Sequence, residues 1–209
     1  GKRDDFVSRG GHKLAGALDA FAGVVVDGKK CLDAGASTGG FTDVLLRRGA
    51  SLVVAVDVGY GQLAWELRQD ARVKILDRTN IRHLTGEQVG EDIDLVVADL
   101  SFISLSLVLP ALAAVSKPEA DFVLMVKPQF EVGREKLGAG GVVRDPALRR
   151  SAVLDVAESA YDVGLGTMGI AASPLPGPAG NVEYFLWLRR GAPAIDEKAL
   201  DQAIEMGPA

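Results

Sequence analysis

Cysteine is almost absent. Cys31 stands alone in 209 residues, so no disulfide can close within the chain, and a reducing, cytoplasmic setting is the expectation. It sits in an apolar run without a neighbouring histidine and reads as a small core residue. Histidine is nearly as scarce: His12 and His83 with one thiol make no cluster of metal-ligand spacing, so no metal is expected. Long hydrophobic runs are missing too. The longest candidate, Leu105 to Val115, carries Ser106 and Pro110 and falls short of the ~18 apolar residues of a membrane span. The charged start, Gly1-Lys2-Arg3-Asp4-Asp5, does not read as a signal peptide, and no membrane partner is expected. Nor is positive charge in excess: 23 Lys and Arg face 28 Asp and Glu, for a net charge of −5. That excludes coating nucleic acid by bulk charge, while a local basic face remains open.

What is present is a core. Apolar residues make up 48% of the chain, enough for one sizeable domain. Strand and helix patterns alternate. Strands are expected at Lys30–Ala36, Ser51–Val58, Val73–Leu76, Asp94–Asp99, Asp121–Val126, Thr167–Ala172 and Val182–Leu188. Helices are expected at Gly40–Arg48, Gln62–Gln69, Leu105–Val115, Pro146–Tyr161 and Glu197–Glu205. Short apolar strands separated by helices imply βαβ units and a mostly parallel sheet covered on both faces. Only Ser173–Asn181 separates the last two strands, too little for a helical crossover. The expectation is therefore an α/β, Rossmann-like fold of the class I methyltransferase type: about seven strands, mostly parallel with one antiparallel strand. Gln129–Asp145 reads as one long loop, a candidate lid or binding loop.

The first strand runs into Asp33-Ala34-Gly35-Ala36-Ser37-Thr38-Gly39-Gly40-Phe41-Thr42. Glycines at a strand-to-helix turn let the backbone approach a ligand, and the helix N-terminus offers free N–H groups. A P-loop is rejected, because Phe41 and Thr42 stand where Lys and Ser/Thr are needed. A dinucleotide fingerprint is weak, because Ser37 occupies a glycine position. D-x-G-x-x-x-G-G fits binders of S-adenosylmethionine, whose methionine part lies over such a turn. The next strand ends at Asp57-Val58, placed ~20 residues after the turn to bind ribose hydroxyls. The third ends at Asp77-Arg78, within reach of adenine.

Two further strands end in polar residues over the same cleft, at Asp99 and at Lys127. A lysine closing the run Val-Leu-Met-Val is costly unless paired. Lys13, in Ser8-Arg9-Gly10-Gly11-His12-Lys13-Leu14, and Glu183, an acid expected inside an apolar strand, are further candidates. Such a set suits a hydroxyl nucleophile that must lose its proton while attacking a methyl sulfonium. Lys127 would be the base or the group that orients the hydroxyl, Lys13 would tune it, and the two carboxylates would hold the lysines in register.

These stretches, with Asp57-Val58-Gly59-Tyr60-Gly61-Gln62-Leu63, Asp99-Leu100-Ser101-Phe102-Ile103-Ser104, Val126-Lys127-Pro128-Gln129-Phe130-Glu131, Ser173-Pro174-Leu175-Pro176-Gly177-Pro178 and Asn181-Val182-Glu183-Tyr184-Phe185, resemble the TlyA family. That family is a branch of the FtsJ-like ribose 2′-O-methyltransferases. The resemblance implies a K-D-K-E catalytic tetrad at Lys13, Asp99, Lys127 and Glu183, with S-adenosylmethionine as cofactor. It implies cytidine 2′-O-methylation in 16S and 23S ribosomal RNA, and a link to susceptibility to capreomycin-type antibiotics. It also implies an N-terminal S4-like RNA-binding domain as a partner, so residues 1–8 read as a linker remnant and 9–209 as the catalytic domain. Where members have Arg-Ala-Trp-Val in the linker, Asp4-Asp5-Phe6-Val7 stands here.

RNA contacts are expected from Arg3, Arg9, His12 and Lys13 at the start, and from Arg134, Lys136, Arg144, Arg149 and Arg150 on and after the long loop. The competing readings are a methyltransferase of non-RNA substrates and a haemolysin-like, membrane-active protein. The want of a spanning segment or a strongly amphipathic membrane helix argues against the latter.

Overall fold

A computed structural model of the chain describes residues 6–207. Its strands are β1 (Lys30–Ala34), β2 (Leu52–Val56), β3 (Val73–Leu76), β4 (Ile93–Ala98), β5 (Ser116–Val126), β6 (Leu165–Ala172) and β7 (Tyr184–Arg190). Its helices are α1 (Arg9–Ala20), α2 (Gly40–Arg47), α3 (Trp65–Arg68), α4 (Gly86–Val89), α5 (Leu109–Ala114), α6 (Pro146–Asp162) and α7 (Glu197–Met206). One seven-stranded sheet runs in the order β3-β2-β1-β4-β5-β7-β6. The pairs from β3 to β5 are parallel, and β7 is antiparallel to both its neighbours. The single reversed strand of the sequence reading is β7.

Strand side chains alternate between faces, and both faces are buried, so the strands read as continuous apolar runs. Leu32, Val54 and Val96 pack with α5, α6 and α7. Cys31, Val53, Ala55, Leu95 and Val97 pack with α1 and α2. Burial pushes the Cys31 thiol up to about 12, with help from the Asp94 and Asp33 charges. It is an inert core group.

Several elements differ from the sequence expectation. Helix α1 was not anticipated. It packs on α2 where small residues let the backbones meet: a Cβ on Gly40 would stand 2.8 Å from the Gly11 nitrogen. The expected helix over Gln62–Gln69 shrinks to α3, because the Ala64 N–H is tied to the Thr38 carbonyl (3.0 Å) and Leu63 folds over Gly39. The helix expected from Leu105 splits into a 3-10 turn, Leu105–Leu107, and α5, with Pro110 in the first turn of α5, where its missing N–H costs nothing. Strand β5 begins earlier than expected, at Ser116, with an irregular register opposite Ile93 and Leu95. The Gln129–Asp145 loop holds three 3-10 turns. Glu183 lies just ahead of β7 rather than inside it, its carbonyl accepting from Ser173 N–H at 2.8 Å.

Between β1 and β4 the strand order reverses. In a doubly wound sheet a ligand crevice opens at such a point, outside the strands' carboxyl ends.

Candidate active site

The turn after β1 is built for close approach. Gly35 has φ +84°, and a Cβ there would stand 2.3 Å from the Asp99 carbonyl oxygen. Gly39, at the N-cap of α2, has φ +104°, and a Cβ would strike Leu67 at 2.3 Å. Ser37 also adopts a left-handed conformation, and its N–H donates to Asp57 Oδ2 at 2.9 Å. The carboxylate at the end of β2 thus braces the turn as well as facing the crevice.

Two cavity lobes meet at Gly35. The larger, about 250 Å³, is lined by the turn (Gly35, Ala36, Ser37, Thr38, Gly40, Phe41), by Ser8, Arg9, Gly10 and Lys13 of the α1 region, and by Asp99, Lys127 and Pro178. The smaller, about 200 Å³, has Asp57 at one side and apolar walls from Val58, Ile81, Leu100, Ile103 and Val108. Together they reach the lower range of small-molecule sites, ~300–1,000 Å³.

On the larger lobe stand two lysine–carboxylate pairs. Lys127 pairs with Asp99, and its Nζ also donates to Ser101 Oγ at 3.0 Å. Lys13 Nζ donates to Glu183 Oε1 at 3.0 Å. Glu183 is 1% exposed and sits behind Lys13 rather than on the cavity wall. Helix α1 carries Lys13 there because it is wedged between α2 and the 173–178 loop: Pro174 lies against Gly16, and Arg9 Nη2 donates to the Pro176 carbonyl at 3.2 Å.

Beneath the turn, Asp33 is fully buried and accepts from Thr42 Oγ1 at 2.7 Å. Its carboxyl is pushed up to about 7, chiefly by burial and further by the Asp99 and Asp57 charges, against the Thr42 bond. The two carboxylates that push it up, Asp99 and Asp57, line the crevice and set negative charge there. Asp33 supports the turn from below and does not line the cavity.

Other residues singled out in the sequence lie further off. Asp77 accepts from Gly61 N–H at 3.1 Å and lies 4.0 Å from Arg68. Arg78, with φ +51°, lies over the Tyr60 ring at 4.3 Å. Both brace the loop after β2 and line neither lobe. Arg9 stands at the cavity mouth, and His12 is exposed beside Phe6. Arg134, Lys136 and Arg144 are exposed on the long loop, with Arg144 held to the Ala139 carbonyl. Arg3 falls outside the described residues. Among the described residues no group of three or more His, Cys, Asp or Glu could hold a metal ion.

Sequence reasoning passed over several neighbours. Phe102 is 90% exposed with φ +64° and packs against Phe130, 4.9 Å between centroids. Glu131 accepts from Ser104 Oγ (2.6 Å) and Leu105 N–H (2.9 Å), clamping the loop after β4 to the turn after β5. Burial pushes the Glu131 carboxyl up. Asn181 ties the long loop to the Glu183 segment by accepting from Val143 N–H (2.8 Å) and donating to the Gly141 carbonyl (3.1 Å). The signal available was position: each lies within or beside a stretch already marked by its polar neighbours.

Comparison with known proteins matches residues 6–190 to the FtsJ-like methyltransferase family. A Mycobacterium tuberculosis protein named 16S/23S rRNA (cytidine-2′-O)-methyltransferase TlyA is 62% identical over 95% of this chain and 74% of its own. A solved structure from Lactococcus lactis, described as a hemolysin candidate, is 39% identical with TM-score 0.92, covering 97% of this chain and 98% of that one. A Mesorhizobium loti S-adenosylmethionine dependent methyltransferase shares the fold at TM-score 0.61 and 16% identity, over 84% of this chain and 96% of that one.

Proposed function

Since the chain belongs to the FtsJ-like methyltransferase family, in its TlyA branch, we propose that it transfers a methyl group from S-adenosylmethionine to the 2′-hydroxyl of cytidines in 16S and 23S ribosomal RNA. The observation that carries the reading is the meeting of Lys13, Asp99 and Lys127 on the wall of the crevice that also holds the glycine turn.

The residues present fit the cofactor. The apolar lobe suits adenine, Asp57 suits the ribose hydroxyls, and the turn with the α2 N-terminus suits the methionine carboxylate. Asp57 and Asp99 set negative charge beside the crevice, which favours a cation there. When bound, the cofactor supplies an electrophilic methyl on a positively charged sulfur.

The chain supplies the rest. Lys127 Nζ, fixed by Asp99 and Ser101, holds the ribose hydroxyl oxygen toward the cleft, and the hydroxyl proton passes to Nζ as Nζ gives one of its own to the Asp99 carboxylate. Lys13, held by Glu183, places a second positive group beside the oxygen that gains negative character. Much of the acceleration in such a site comes from orientation. Arg9, Arg134, Lys136 and Arg144 serve as phosphate contacts, and Phe102 as an aromatic face for a base withdrawn from its stack. Arg3 is assigned to the same set from its sequence position. Loss of the methyl groups would lower capreomycin susceptibility, as the family resemblance implies. An S4-like domain would supply the address on the ribosome, in the cytoplasm where ribosomes are.

The test is transfer of tritium from labelled S-adenosylmethionine to ribosomal subunits lacking the modification, by the parent and by Lys127→Ala. Label in cytidine ribose from the parent alone is the expected result. Silence from a parent that binds cofactor, even after an S4-like domain is added, refutes the rRNA reading.

A further inference from the structure

Glu183 uses both carboxylate oxygens. Lys13 Nζ holds Oε1 at 3.0 Å, and Gln129 Nε2 donates to Oε2 at 3.1 Å. A Cβ on Gly177 would come within 2.7 Å of Oε2, so the backbone of the 173–178 loop closes that side. A carboxylate gripped by two donors on opposite oxygens cannot rotate about its last torsion without losing one of them. With Glu183 1% exposed, water is a poor substitute for either donor.

Gln129 sits in the 3-10 turn Pro128–Phe130, which starts directly after Lys127. Pro128 between them has its φ fixed by the ring, and the Phe130 N–H donates to the Lys127 carbonyl at 2.9 Å, so the turn limits movement of Gln129 relative to Lys127. A path of one stiff turn and two hydrogen bonds thus connects the Lys127–Asp99 pair to the Lys13–Glu183 pair. The other end of the amide, Gln129 Oε1, is buried without a protein partner. Buried polar groups are satisfied in the great majority of cases, and an exception calls for a reason.

We propose that Gln129 is a positioning residue for methyl transfer: it locks the Glu183 carboxylate and thereby sets the separation of the two lysine ammonium groups over the cleft. A neutral donor is required there, because Glu183 already carries the negative charge that Lys13 needs. Glutamate at 129 would set two carboxylates against each other. The inference rests on the 2′-O-transfer reading for its catalytic consequence, but the grip on Glu183 and Lys13 stands apart from it.

Two measurements separate these. Limited acetylation followed by mass spectrometry reads the accessibility of Lys13, with exposed Lys136 as internal standard, whether or not the protein transfers methyl groups. Gln129→Leu keeps the bulk and removes the donor, and should raise Lys13 modification several-fold at an unchanged Lys136 rate. In transfer assays with unmodified ribosomal subunits, the same variant should lose roughly ten- to a hundredfold in kcat, with KM and cofactor Kd within about twofold. Gln129→Glu gives the readout that a mere packing role would not move. Its kcat should recover as pH falls, because protonating the new carboxyl restores a donor to Glu183. Melting temperatures show that each variant is folded, and Gln129→Asn, a shortened amide, serves if Gln129→Leu is not. Parent-like Lys13 reactivity and kcat in folded Gln129→Leu, or a pH profile of Gln129→Glu that parallels the parent's, overturns the proposal. A raised Lys13 reactivity in Gln129→Leu, beside a parent that binds cofactor yet transfers no methyl even after an S4-like domain is added, supports the grip on Glu183 and Lys13 and sinks the transfer reading alone.

Discussion

Replacing Gly40 by alanine sets two effects against each other. Gly40 is the first residue of α2, and alanine in a helix is favoured over glycine by ~0.5–1 kcal/mol. Against this, the added Cβ would stand 2.2 Å from Ser8 Oγ, 2.8 Å from the Gly11 nitrogen and 3.2 Å from the Gly10 carbonyl carbon. The Ser8 hydroxyl can rotate away, but the α1 backbone cannot. Bringing the Gly11 contact from 2.8 Å to the 3.4 Å of ordinary packing moves α1 outward by roughly 0.6 Å. Overpacking of this kind costs ~1–3 kcal/mol, so the clash wins by about 1–2 kcal/mol. Melting should fall by roughly 2–8 °C, at ~2–4 °C per kcal/mol for a chain of this size. Lys13 rides on the same helix, and an error of ~1 Å at a reacting group can cost ~100-fold, so kcat should fall about tenfold or more. Gly86→Ala is the control: it lies in α4 with nothing within 4 Å of its would-be Cβ, and should melt at or slightly above the parent. Scanning calorimetry and tritium transfer read both quantities. Gly40→Ala that melts like Gly86→Ala and retains full kcat would show that α1 is not seated through this glycine contact.

Asp33 predicts a pH dependence. Its folded value of about 7 lies above the ordinary 3.8, so between those limits the folded state holds a proton that the unfolded chain has released. Stability from this group is complete below about pH 4, is lost as pH rises toward 7 and is flat beyond, a change on the order of 4 kcal/mol at ~1.36 kcal/mol per unit. Urea titrations at pH 5 and 8 capture the part of this fall between pH 5 and 7, roughly 3 kcal/mol in the parent, and should show a much weaker one in Asp33→Asn; parallel behaviour of the two proteins refutes it. Phe102→Ala removes an exposed ring next in the chain to Ser101, which accepts from Lys127, and should raise KM for ribosomal subunits several-fold, leaving cofactor Kd and melting temperature unchanged. A shift in cofactor affinity alone would place Phe102 at the wrong ligand. Asn181→Ala strands the buried Val143 N–H, which should cost ~1–3 kcal/mol and open the 129–145 loop to limited proteolysis. Equal cleavage of parent and variant would show that the loop is held elsewhere.

Local patterns were sufficient for the sheet and the turn. The β-branched runs around Val53–Val56 and Val96–Val97 could only be buried strands. The short Ser173–Asn181 link forced an antiparallel finish, which became β7. Helix α1 was missed because its stretch, rich in glycine and bounded by charge, carries a weak local signal, and its helicity depends on seating against α2. The 3-10 turns of 128–141 were missed for a related reason: the Asn181 bonds come from a partner remote in sequence, and the short-range bonds to the Lys127, Pro128, Gly133 and Arg134 carbonyls leave no mark on periodicity.

The sequence by itself marked the candidate residues, because glycines at a strand-to-helix turn and acids or lysines at strand ends suit close ligand approach and proton chemistry. It could not determine their grouping. Lys13 and Glu183 lie 170 residues apart, and they meet because Gly40 and Gly16 let α1 nest between α2 and Pro174. Asp33, read as a ligand contact, was drawn under the turn by Thr42, and Asp77 and Arg78 were turned to the loop after β2 by Gly61 and Tyr60. A residue's chemistry is written in the chain, whereas the direction its side chain faces is settled by close packing among segments that only folding brings together.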